Sequence, residues 1–80
     1  MIVEIRNYNN GQGSWVQLVR ERANPTSRSS VWTLVRTNSA GSAVIASGHG
    51  TGENAMATAH NITITHGYRQ IISFADLILY

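Results

Sequence analysis

The chain has no cysteine, no lysine, one proline and one phenylalanine among its 80 residues. Without cysteine, neither disulfides nor thiolate metal sites can staple the fold, which excludes a disulfide-dense secreted miniprotein. No apolar run approaches the roughly 20 residues of a membrane-spanning helix. The first six residues, Met1-Ile-Val-Glu-Ile-Arg, carry charge and lack the apolar core of a signal peptide, so the expectation is a soluble, cytoplasmic protein. Charge is sparse. Six arginines face four acids, and although the pI is near 9.7, the net charge is only +2. That sign excludes an acidic mimic of DNA, and the density is below that of a dedicated nucleic-acid binder.

Eighty residues make one domain, 1–80, and a chain this short hides only about 60–65% of its unfolded surface. Oligomerisation is a common remedy for so small a core, which makes a homodimer one expectation.

Residues 1–8 alternate, with Met1, Val3 and Ile5 on one side and Glu4, Arg6 and Tyr8 on the other, as in a half-buried strand. Asn9-Asn-Gly-Gln-Gly-Ser14 is a hairpin signal, because Asn and Gly tolerate positive φ. Residues 15–22 read as a second strand, 31–37 as a third rich in β-branched and aromatic residues, and Ala43–Ser47 as a weaker fourth. Gly48-His-Gly-Thr-Gly52 then reads as a glycine hinge into the one helix, capped by Thr51 with Glu53 in its first turn. Ala55, Ala59 and Ile62, with Met56 and Thr63 beside them, share a helical face, and Gly67 suits the position just past its end. Ile62–Thr65 also alternates like a strand, so an end near Asn61 is the competing reading. A strand over Gln70–Phe74 follows, extended by Ala75–Tyr80, or with a short helix starting near Ser73. The expectation is an α+β fold: an antiparallel sheet of four to five strands with one helix on one face, in the order β-β-β-β-α-β.

One helix covers one side of a sheet, yet strands two and three carry apolar residues on both. Val16, Leu18, Trp32 and Leu34 share one side; Trp15, Val19, Val31 and Val35 share the other. Either Trp15 folds over its own strand end, or the second side is a binding or self-association surface.

Motifs for chemistry are thin. Gly48-x-Gly-x-Gly52 before a helix invites a phosphate cradle, but it lacks the lysine and spacing of known loops, and Glu53 already brings negative charge. His49, His60 and His66 match no zinc spacing, no serine sits in a nucleophile elbow, and Asn61-Ile-Thr63 is a sequon without a secretory route. The expectation is a protein that is not an enzyme and uses neither cofactor nor metal. Aromatics and arginines dominate interface energetics, which selects Tyr8, Trp15, Arg20, Arg22 and Arg36 as candidate binding residues. The same arginines, with Arg28, gathered at one edge beside the aromatics, would instead make a nucleic-acid surface.

The run Val31-Trp-Thr-Leu-Val-Arg, a turn at Gly41, Val44-Ile-Ala-Ser-Gly, then Thr51 and the alanine-rich helix resembles the YegP-like small domains. Continued through Gly67 and Ile71–Phe74, about half the chain, it resembles the small phage-encoded anti-CRISPR proteins in its order of elements. The second resemblance implies a non-catalytic inhibitor that blocks a partner surface in the host bacterial cell, the partner being a component of a CRISPR effector. It brings no catalytic residues to carry over.

Overall fold

The computed structural model describes residues 1–71, so the expected strand beyond Ile71, and the tail from Ala75, lie outside the described residues. Four strands form a meander: β1 (Ile2–Asn9), β2 (Trp15–Glu21), β3 (Ser29–Asn38) and β4 (Gly41–Thr51). Helix α1 (Gly52–Thr65) returns across the sheet and delivers β5 (Arg69–Gln70) to the far side of β1. The sheet order is β4-β3-β2-β1-β5, antiparallel throughout. The expected α+β architecture, with one helix on an antiparallel sheet, is the one observed.

The turns follow local chemistry. Asn10 Oδ1 accepts the amides of Gln12 and Ser14 at 2.8 and 3.2 Å, and Gly11 and Gly13 take φ of 73° and 82°. The next hairpin closes on Gly41 at φ 117°, with Asn38 Oδ1 accepting the Ala40 amide at 2.9 Å. At the end of α1, the Gly67 amide donates to the Ile64 carbonyl and the Tyr68 amide to Thr63. That is a Schellman motif, with Gly67 at φ 88°. It holds the helix together through Thr65, past the competing end at Asn61. Thr51 occupies the N-cap position, but its side chain makes no capping bond to the helix backbone.

Two expectations are corrected. Gly48-His-Gly-Thr is not a hinge: it is the last stretch of β4, with Gly48 opposite Trp32 and Gly50 opposite Ser30. Neither glycine has a positive φ. Each is needed because something lies on it. A Cβ on Gly48 would meet the Trp32 indole at 2.5 Å, and one on Gly50 would meet Ala55 Cβ at 3.3 Å. The apolar side of β1 is also not its covered side. An irregularity between Ile2 and Glu4 shifts the register, and the buried hydrophobic residue of the strand is Tyr8, at its other end.

The core lies between α1 and one side of the sheet. Val16, Leu18, Trp32, Leu34 and Tyr8 from the strands meet Ala55, Met56 and Ala59 from the helix, with Ile62 packed alongside. Alanine at 55 and 59 lets the helix axis approach the sheet closely. Thr63, buried on the same face, satisfies its hydroxyl by donating to the Ala59 carbonyl at 2.8 Å.

Candidate functional site: the uncovered sheet face

Side chains alternate along a strand, so burying Val16, Leu18, Trp32 and Leu34 turns their neighbours to the opposite side. Ladder register places those neighbours in rows. Ile5, Val19, Thr33 and Ser47 form one row across β1–β4, and Asn7, Gln17, Val35 and Val44 the next. Trp15, Thr37 and Ser42 lie beyond at one end; Glu21, Val31 and His49 lie at the other. Among the described residues no element packs on this side. Trp15 is 42% exposed, Ile5 47% and Val44 63%, and Val31 and Ile45 are also exposed. Ile45 sits where the β3–β4 register shifts, the irregularity that turns β4 locally. Glu21 and His49, both in the end row, are the only ionisable groups in these rows.

Trp15 begins β2, which has β1 on one side and β3 on the other, so it stands within the width of the sheet and not on an edge strand. It stands over Asn9 and Thr37, which offer no aromatic or aliphatic partner. The two tryptophans therefore have opposite environments, for Trp32 is only 5% exposed beneath the helix.

Of the five candidate binding residues, only Trp15 lies on this face. Tyr8 is fully buried on the covered side, its hydroxyl 2.7 Å from His60 Nδ1. Arg20 is buried there too, donating to Ser30 Oγ at 3.2 Å and to Glu4 Oε1 at 3.4 Å, while Glu4 also pairs with Arg6 at 3.0 Å. Both are buried and bonded within the protomer. Arg22 follows β2 and lines a cleft beside the end row. Arg36 is exposed on the helix side at the opposite end of β3. The arginines do not gather: Arg36 lies five residues along β3 from Val31, about 17 Å at strand spacing. Sequence reasoning passed over Ile5, Val31, Val44 and Ile45 as site residues, although the alternation about Trp32 already put Val31 on this side.

The His60 contact was also not anticipated, since its partner lies 52 positions away. Burial pushes the Tyr8 hydroxyl above its ordinary value, with the neighbouring Arg6 guanidinium offsetting part of the effect. A raised folded value favours the protonated form. The resulting stabilisation is complete below the unfolded value, near 10, and is lost as pH rises through the folded one. Tyr8→Phe should cost about 1 kcal/mol at pH 7 through the lost hydrogen bond. It should also flatten the alkaline fall in stability, measured by urea unfolding at neutral pH and above about pH 10.

Among the described residues no three His, Asp or Glu side chains converge as a metal site, and no helix is long and apolar enough to cross a membrane. Comparison with known protein families, characterised proteins and solved structures finds no match. The site has to be read from its own chemistry. It is broad, nearly uncharged and aliphatic, with a single large aromatic and hydroxyls and carboxamides between. Its central rows hold no ionisable side chain.

Proposed function

We propose that the protein is a non-catalytic protein-binding module that docks a partner on the uncovered sheet face. The observation that carries this reading is the exposure of Ile5, Trp15, Val31 and Val44 along the rows of a face with no charge in its middle. An uncovered sheet face that carries exposed aliphatics and a tryptophan between hydroxyls and carboxamides has the mixed character of an interaction surface. The complementary partner surface is apolar and neutral at its centre, since an unpaired charge buried against these rows would be costly. Function is then steric occupancy: the module covers a surface that the partner needs. A phage-borne inhibitor of bacterial defence, as in the anti-CRISPR proteins whose order of elements this chain resembles, is the specific form of this proposal. A nucleic-acid module is not favoured, because Arg20 is spent on Glu4 and Ser30 and Arg36 stands at the end of β3 away from Arg22 and Arg28.

The test compares wild type with Val44→Glu and Val31→Glu on the uncovered face and Arg36→Glu on the helix side. Capture from bacterial lysate should yield one species in roughly stoichiometric amount, lost with either of the first two variants and kept with the third. Capture that ignores the face variants, or that depends on Arg36 and disappears at high salt, would contradict the proposal.

A further inference from the structure

The Arg22 end of the sheet holds a cleft of roughly 470 Å³, lined among others by Arg22, Ser27, Ser29, Ser30, Val31 and His49. That is within the range of small-molecule sites. Its position follows from the ladder. Glu21, Val31 and His49 are cross-strand neighbours, and the β1–β2 ladder continues one step further, where the Arg22 amide donates to the Met1 carbonyl at 2.8 Å. The loop after Arg22 is tied by Asn24 Oδ1, which accepts from the amide and hydroxyl of Thr26. The returning chain brings Ser27 to Ser30 against the same end.

Arg22 is the informative residue. A guanidinium keeps its charge at any ordinary pH and presents five donors. Here its Nε is buried without an acceptor, and its side chain has no ion pair or hydrogen bond with any described residue. Arg20, two residues earlier, also has an unpartnered Nε, but its terminal nitrogens are held by Glu4 and Ser30. A buried donor without an acceptor needs a reason, and a bound water or ion is one. The remaining groups around the cleft are of the same character. Ser29 offers a hydroxyl and His49 an imidazole ring, neither bonded to another described residue. Ser27 directs its hydroxyl to the Ser29 carbonyl at 3.2 Å, which fixes the wall. Val31 supplies an apolar patch. Glu21, the one acid lining the cleft, weighs against a ligand with more than one anionic group.

We propose that this cleft binds a small molecule through a single oxyanion group, a carboxylate or a phosphate, held by the Arg22 guanidinium. The shared chemistry is two or three acceptor oxygens against a fork of N–H donors, the geometry for which arginine is suited. The proposal does not depend on the docking face, since it needs no partner protein.

Backbone amide shifts in an NMR titration test it directly, with acetate and inorganic phosphate as separate probes and ionic strength held constant with chloride. The amides of Ser29, Ser30, Val31 and His49 should move saturably, with half-saturation on the order of millimolar, as for a single-group ligand. Saturation by phosphate alone would identify a phosphate ligand, by acetate alone a carboxylate, and either supports the site. Arg22→Gln should weaken the response at least tenfold while the remaining spectrum stays that of the folded protein. Arg28→Gln, in the same loop but not lining the cleft, should leave it unchanged. Failure of both probes to saturate these amides, or equal response in Arg22→Gln and wild type, would overturn the proposal.

Discussion

Replacing Gly48 with alanine is expected to lower the unfolding free energy by about 2–3 kcal/mol, although one methyl group is all that is added. On conformational grounds the sign should be the reverse. Gly48 lies within a strand at an ordinary φ, where alanine reduces the entropy of the unfolded chain and stabilises by roughly 0.4–1 kcal/mol. Packing decides otherwise. The new Cβ would sit 2.5 to 2.9 Å from three atoms of the Trp32 indole, and the indole is buried and in the same core cluster as Met56 and Ala55. It cannot swing out without opening the core. Gly52→Ala is the control, for a Cβ there meets nothing within 4 Å and its φ is not positive. That variant should be neutral or slightly stabilising. Urea unfolding of the two separates close approach from flexibility: a hinge at Gly48 would make the two substitutions behave alike.

That pair of glycines marks where the sequence could be read and where it could not. Local signals were sufficient for the turns, because Asn9-Asn-Gly and Gly41 act through their own φ and their own side-chain bonds. They were sufficient for the helix as well, since Gly67 closes it and the spacing of Ala55, Ala59 and Ile62 names its buried face. The opposite sides of β2 and β3 could be separated by alternation alone. Gly48 and Gly50 misled because a glycine run before a helix looks like punctuation, while its cause is an indole and an alanine brought by distant register. Strand β1 misled for a related reason. Its Tyr8 seemed to belong with the polar side, but a ring whose hydroxyl reaches His60 can be buried completely. Arg20 was selected for its residue type, and its pairing with Glu4 depends on the β1–β2 register after the irregularity near Val3. In each case the missing information was a partner remote in sequence.

The site was legible in outline and not in membership. One helix and two-sided apolar strands implied an uncovered face. Which residues populate it depended on β4 being eleven residues long and turning at Ile45, so that Val44 joins the rows of β2 and β3. Residue-type preference favoured arginines, but no charged side chain among the described residues stands in the central rows.

The second large effect concerns Trp15. A tryptophan that anchors an interface commonly contributes 2 kcal/mol or more to binding, and its loss weakens affinity at least 30-fold. Threonine is a suitable replacement, since it keeps β-propensity and removes the ring. Because Trp15 is exposed and stands over Asn9 and Thr37, its removal should leave the core intact. The decisive measurement is therefore paired: the unfolding free energy of Trp15→Thr, and its dissociation constant for the partner captured by wild type. We expect stability within about 1 kcal/mol of wild type and affinity reduced at least 30-fold. A loss of about 3–5 kcal/mol, the cost of emptying a buried tryptophan site, or undiminished affinity, would contradict the account.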